Sequence, residues 1–187
     1  MIVMGIDPAT RIAGYAYTNF EPKTFVTTYI THGRIGNDKI KYPISLVTIP
    51  RRINELITEK RPTVVAIEAP NHTRGFGSSK VQVEMIGCIK RILVSKNIPY
   101  IEIQASSLKR IVAGNGYASK EEVGRVLSEK FKIPYEELVT VLYYKQGKKA
   151  GKIKGYITDG SDALGLALSF PYYIKEVNNK LDFEGVR

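Results

Sequence analysis

The chain has 187 residues, which suits one domain, and 43% of them are hydrophobic, enough to bury a core. No apolar stretch approaches the roughly 20 residues of a membrane-spanning helix, and a single cysteine, Cys88, excludes both an internal disulfide framework and a cysteine-based zinc cage. Lys and Arg number 28 against 18 Asp and Glu, a net charge of +10 and a pI near 9.6, which is the electrostatic footprint of a nucleic-acid binder. The N-terminus has neither the basic region nor the cleavage site of a signal peptide. Together with the lone cysteine this places the expected location in the cytoplasm, with no membrane partner.

The opening run Ile2, Val3, Met4, Ile6 is short and apolar and closes on Asp7-Pro8, so it reads as a buried strand ending on a carboxylate. Aspartate is seldom buried without a partner, because an unpaired buried charge is costly. Ile12 to Phe20 reads as a second strand and Thr24 to Ile35 as a third, joined by short turns into an antiparallel meander. Gly14 lets its backbone pass close to the end of the first strand. Tyr42 to Lys60 has near-helical apolar spacing, with Pro50 giving a kink or a late start and Pro62 ending it. Thr63 to Glu68 is a further apolar run that ends on an acid. It follows a helix, so it is expected parallel to the first strand, which puts Asp7 and Glu68 at the same sheet edge.

Ala69 to Ser79 reads as a loop with Arg74 and Phe76 near its tip, and Lys80 to Asn97 as a helix in which Cys88 is core packing. Pro99 to Ile103 is the fifth strand, and a short helix around Ser106 to Val112 follows. Gly114-Asn115-Gly116 is a tight turn, after which Ser119 caps a helix with Glu122 at the capping-box position. Tyr135 to Tyr144 reads as a short extra helix, and Lys145 to Lys154 as a mobile Gly- and Lys-rich loop. The last helix is expected from Gly155 to Tyr172, with Asp159 and Asp162 in its first turns. The expected organisation is one domain over residues 1–175 and a polar tail over 176–187.

This order yields four carboxylates, Asp7, Glu68, Asp159 and Asp162. The last two are three residues apart and so share a helical face. Four clustered acids repel one another unless cations fill the cluster. Ligands that are all oxygen favour a hard ion such as Mg²⁺ or Mn²⁺, and two such ions about 4 Å apart are the usual device for phosphodiester hydrolysis.

The blocks GIDPATRIAGYAY, VVAIEAP, SLKRIVAGNGYASKEEV and DGSDALGLAL, in this order and spacing, resemble the successive motifs of RuvC-type Holliday junction resolvases, members of the RNase H-like superfamily. The resemblance runs from Met1 to about Leu168. It implies an α/β fold with a five-stranded mixed sheet, the three-strand meander plus two parallel strands, flanked by helices. It implies a homodimer acting on four-way DNA junctions by paired symmetric nicks. It implies that Asp7, Glu68, Asp159 and Asp162 are catalytic ligands of two Mg²⁺ ions per site, with Mn²⁺ substituting, and that Lys109 and Lys120 bind DNA near the cleaved phosphate. The loop after Glu68 corresponds to the family's junction-opening loop, where Phe76 could stack on a base and Arg74 contact a phosphate. His72, the histidine close to this proposed site, reads as an ordinary loop residue.

Two departures stand out. The family's usual glycine after Asp-Pro is Ala9 here, and the segment from Tyr135 to Tyr156 is longer and more basic than in bacterial members. Its Lys145, Lys148, Lys149, Lys152 and Lys154 resemble an added phosphate-binding arm. Divergence of this kind suggests a phage or viral member, and then a host cytoplasm. The apolar face of Lys80 to Asn97 is the candidate dimer surface. Three other readings compete: a relaxed branched-DNA, flap or RNA nuclease of the same superfamily; a catalytically silent junction-binding protein; and a sugar-kinase or actin-like phosphotransferase, for which the chain lacks a second, larger domain.

Overall fold

The computed structural model describes residues 1–37, 39–70, 76–146 and 149–184, without the side chains of 76–79 and 179–184. Its elements in chain order are β1 (Ile2–Asp7), β2 (Ile12–Glu21), β3 (Val26–Gly36), α1 (Ser45–Lys60), β4 (Val64–Glu68), α2 (Phe76–Ser95), β5 (Tyr100–Ile103), α3 (Ala105–Ala113), α4 (Lys120–Phe131), α5 (Tyr135–Leu138), β6 (Thr140–Tyr143), β7 (Ile153–Ile157) and α6 (Asp159–Glu184). Strands β1 to β5 form one sheet in the order β3-β2-β1-β4-β5. The meander β1-β2-β3 is antiparallel, and β4 and β5 extend it as parallel strands. This is the five-stranded mixed sheet expected from the sequence. No described helix is long and apolar enough to cross a membrane.

Strand alternation sorts side chains between two layers. Met4 and Ile6 of β1 and Val65 and Ile67 of β4 pack with Ile49, Ile53 and Ile57 of α1 and Met85, Ile89 and Leu93 of α2. The opposite face of the same strands presents Val3, Gly5 and Asp7, then Val64, Ala66 and Glu68. Ala16 and Ala66 there pack with residues of α3, α4 and α6, and Val3 and Val64 pack with Ala167 of α6. The two layers differ in residue size. Large aliphatic side chains fill the α1–α2 side, whereas glycine and alanine on the other side let α6 lie almost against the strands. A Cβ on Gly5 would stand 1.9 Å from the carbonyl oxygen of Ala163, and one on Gly14 would stand 1.8 Å from that of Asp159.

Several boundaries differ from the sequence reading. Helix α1 starts at Ser45 and carries Pro50 inside it, so the late start is not taken. Helix α2 begins at Phe76, which makes Phe76 a helical residue rather than part of a loop tip. Residues 71–75, including His72 and Arg74, lie outside the described residues, as does the side chain of Phe76. The apolar positions Met85, Ile86, Ile89 and Leu93 of α2 are core, and among its described side chains the exposed large apolar ones are Val83 and Val94. Ala9 is not among the non-glycine residues with positive φ, so this turn does not require a glycine.

The C-terminal third departs most. The extra helix α5 has four residues, and the chain then forms β6, which pairs antiparallel with β7 in a separate two-stranded sheet. Residues expected as a loop and as the first turn of the last helix are therefore a hairpin. The alternation of Ile153, Gly155 and Ile157 with Lys154 and Tyr156 has period two, which suits a strand. Thr158 then breaks the strand and α6 starts at Asp159. Helix α6 also continues beyond residue 175 to Glu184. No glycine or proline interrupts the chain between Pro171 and Gly185, and Glu176 pairs with Arg110 of α3 at 3.0 Å.

The contact of α6 with β1 yields a direct test. Gly5→Ala forces a methyl into the helix backbone, which cannot rotate away as a side chain would. It should destabilise the fold by about 3 kcal/mol or more, read as the midpoint of urea unfolding.

Candidate active site

The parallel register sets Ile6 beside Ile67, so the next residues, Asp7 and Glu68, finish adjacent strands. Both lie on the face that α6 covers. Gly14, paired with Asp7 across the β1–β2 ladder, has no side chain to hold off the first residue of α6. Asp159 and Asp162 are thereby delivered to the strand ends from the far end of the chain. Asp7 and Asp162 are each only 8% exposed, and Glu68 is half-buried.

Electrostatics follow from this crowding. The Asp7 carboxyl is held well above the usual carboxylate range, first by burial, then by the charges of Glu68 and Asp162, against a smaller opposing pull from Lys120. Asp159 is also raised, by burial, although Arg34 and Lys120 pull the other way. Arg34 on β3 reaches Asp159 with Nε–Oδ2 at 3.0 Å. Lys120 donates through Nζ to Oδ2 of Asp162 and to Oγ1 of Thr158, the latter at 3.1 Å, and Thr158 Oγ1 donates in turn to Asp162 Oδ2 at 2.8 Å. Burial works against the charge on Lys120, but Asp162 and then Asp7 and Glu68 outweigh it and raise its pKa.

Lys120 occupies the first position of α4. The Ser119–Glu122 capping box expected from the sequence fixes that helix start: Glu122 N donates to Ser119 Oγ at 3.1 Å, and Ser119 N donates to Glu122 Oε2 at 2.5 Å. A lysine at a helix N-terminus is disfavoured by the helix dipole by about 0.3–1 kcal/mol. The acids facing Lys120 offset that cost. Lys109 of α3 joins it: Glu68, Lys109, Lys120 and Asp162 line one small cleft, floored by Leu108 and Val123. Four acids and two lysines singled out in the sequence are thus brought together. Lys149 and Lys152 lie on the exposed β6–β7 hairpin, and Lys148 lies outside the described residues.

The donor set fits a hard divalent ion. Its donors are carboxylate oxygens, the buried Asp7 is pushed toward the protonated form, and Asp162 and Asp159 are paired with a lysine and an arginine. Among the described residues, no three acidic, histidine or cysteine side chains already close on one point. The side chains of Lys120 and Arg34 stand beside the oxygens that an ion would take.

Three participants were missed in the sequence. Arg34 lies 125 positions from its partner, and no local pattern links a strand arginine to a helix start. Thr158 was legible, because a threonine immediately before a D-x-x-D run has the position of a helix N-cap. Tyr156 donates to Glu121 Oε2 at 2.8 Å and ties the hairpin to α4, which a loop assignment could not reveal.

The raised Asp7 carboxyl gives a pH dependence in the metal-free protein. Below the unfolded pKa both states carry the proton and no penalty arises. Between the unfolded pKa and the higher folded one the folded state alone holds the proton, so stability falls as pH rises across that interval and the loss is complete above the folded value. Asp7→Asn removes this loss. In EDTA its thermal midpoint should match wild type near pH 4 and exceed it at pH 7–8. Each unit by which the carboxyl is raised is worth about 1.4 kcal/mol, or about 3–6 °C for a chain of this length.

A sequence model of the family described as crossover junction endodeoxyribonuclease RuvC matches residues 3–138. The protein of that name from Cytophaga hutchinsonii is 31% identical over 172 residues, which covers 89% of this chain and 74% of the relative. That from Porphyromonas gingivalis is 30% identical over 160 residues, covering 85% and 84%. The solved structure of Thermus thermophilus RuvC in complex with a Holliday junction substrate shares the fold, with a TM-score of 0.72 at 19% identity over 94% of this chain and 96% of that one. With a match over most of its length and the same fold, this chain belongs to the RuvC family of crossover junction endodeoxyribonucleases.

Proposed function

We propose that this protein is a divalent-metal-dependent endonuclease that resolves four-way DNA junctions by nicking opposing strands symmetrically, in DNA recombination and repair. The observation that carries the reading is the meeting of Asp7, Glu68, Asp159 and Asp162, from three separate parts of the chain, on one face of the sheet. Membership in the RuvC family supports the same substrate class. These four residues are the proposed ligands of two Mg²⁺ ions, which Mn²⁺ can replace. Bound ions of this kind supply an acidified attacking water and charge stabilisation for the leaving 3′ oxygen.

The chain's own residues prepare for that chemistry. Burial and the neighbouring charges of Glu68 and Asp162 favour the proton on Asp7, and a divalent ion held by these carboxylates would favour its ionised form. Lys120, paired with Asp162, holds an ammonium at a helix N-terminus, where a phosphate oxygen is also favoured. Lys109 lines the same cleft and adds a second positive charge on the DNA side. Thr158 keeps its hydrogen bond to Asp162 and fixes that carboxylate's orientation.

A junction has two-fold symmetry, and paired nicks need two sites, so we assign the active form to a homodimer. The face of α2 left over from the core carries Val83, Gly87 and Val94, which fall on one stripe. Val94→Asp should shift the protein to monomer in light scattering and uncouple the two nicks.

The deciding experiment is cleavage of a synthetic four-way junction with Mg²⁺, with Mn²⁺ and with EDTA, beside flap, duplex and RNA–DNA hybrid substrates. The proposal expects symmetric junction nicks that require the ion. Equal cutting of flaps or hybrids would make it a relaxed nuclease, and ion-independent cutting would sink the metal reading. Asp7→Asn should lower cleavage by more than about 100-fold while leaving junction affinity in EDTA at or above that of wild type. Mg²⁺ should raise the thermal midpoint of wild type and not of this variant.

A further inference from the structure

The β6–β7 hairpin takes no part in the acid cluster, yet it carries a larger net positive charge than any other element of the chain. Residues 140–157 contain five lysines and no acid, half of the net charge of +10. Lys145, Lys149, Lys152 and Lys154 are all exposed. A loop kept only for solubility has no use for apolar surface, but this ribbon also exposes Leu142, Tyr143 and Ile153, at 37%, 54% and 51%. The combination of lysines and exposed apolar side chains on a protruding two-stranded ribbon suits a nucleic-acid groove. The major groove of duplex DNA admits such a ribbon, and the lysines flank it at phosphate level.

The ribbon is not free to wander. An isolated two-stranded hairpin is marginal in water, and here its base is held. Tyr156 donates to Glu121 at 2.8 Å, Glu121 pairs with Arg125 at 2.6 Å, and the preceding Leu138 and Val139 are buried. Glu121 is the neighbour of Lys120, and β7 leads through Thr158 directly into Asp159. A phosphate held on the ribbon is therefore in fixed relation to the cleft. Toward the turn, Lys149 lies over the Tyr144 ring at 5.6 Å, and Gly151 N donates to Tyr144 O at 2.9 Å.

We propose that the β6–β7 ribbon is a second DNA-binding surface, which grips one duplex arm of the substrate beside the cleaved strand. At about 3.3 Å per residue, the seven residues from Asp159 back to Lys152 span at most about 23 Å, or about seven base pairs at roughly 3.4 Å each. The ribbon thus contacts the arm within about two-thirds of a helical turn of the acids. The inference rests on the reading of DNA as substrate. It adds a contact outside the range of residues 3–138 that the family model matches.

The test is junction binding by fluorescence anisotropy in EDTA across a salt series. It compares the wild-type protein with Lys145→Ala/Lys149→Ala/Lys152→Ala/Lys154→Ala. If each lysine releases about 0.9 counterion, the slope of log affinity against log salt becomes shallower by about 3 to 4, and the affinity lost between about 50 and 200 mM salt shrinks about 100-fold. The same change is expected on a plain duplex of the arm sequence. The two double variants, Lys145→Ala/Lys149→Ala and Lys152→Ala/Lys154→Ala, should each give about half of it, and keep the test open if the quadruple variant folds poorly. Arginine at all four positions should preserve the slope. An unchanged slope in the alanine variants, or an effect confined to single strands, overturns the proposal. A protein that cuts no junction but still loses its salt slope in the variant keeps the ribbon assignment and refutes the resolvase reading. Intact cleavage with an unchanged slope does the reverse.

Discussion

Asp7 ends a central strand with Glu68 beside it and Asp162 facing it, and burial of Asp7 and Asp162 limits how far water can spread their charge. Like charges at that distance cannot all persist in a low dielectric. The chain answers in part with its own cations, Lys120 on Asp162 and Arg34 on Asp159, and in part by favouring the proton on Asp7. The packing of two helical layers on a mixed sheet holds these groups together against their mutual repulsion. A site that is uncomfortable when empty of external charge is one that takes up a cation readily.

The difference in size between the two sheet faces makes this closeness possible. Isoleucine, leucine and methionine keep α1 and α2 at ordinary packing distance from the sheet. On the other face, Gly5, Gly14, Ala16 and Ala66 present almost bare backbone to α6. The carboxylates of Asp159 and Asp162 have short side chains and no reach of their own, so the helix itself must come close. The same backbone contacts prevent α6 from sliding along the strands, which keeps two distant parts of the sequence in a single geometry.

Most of this was legible where one short window carried the signal. Each of the strands β1 and β4 is an apolar run closed by an acid, and the helix between them implies parallel pairing. Ser119 and Glu122 announce a helix start within four residues. Legibility failed where the information lies in pairing rather than in composition. Glycine and lysine between Tyr144 and Lys154 read as loop, because only the partner strand reveals that Ile153, Gly155 and Ile157 alternate for a reason. Arg34 looked like any polar strand residue until α6 was laid beside it. The polar residues after Lys175 suggested a loose tail, although an uninterrupted run without glycine or proline allowed the helix to continue.

The pairing of Thr140 with Ile157 brings the two ends of the hairpin together as neighbours. The chain leaves the domain and returns at nearly one point, so the excursion closes on itself before Asp159 begins. An appendage attached through such a gate keeps its two attachment points side by side whatever the length of chain between them. The length and charge of the hairpin are in this way set apart from the packing that holds the acids, even though the two are adjacent in sequence.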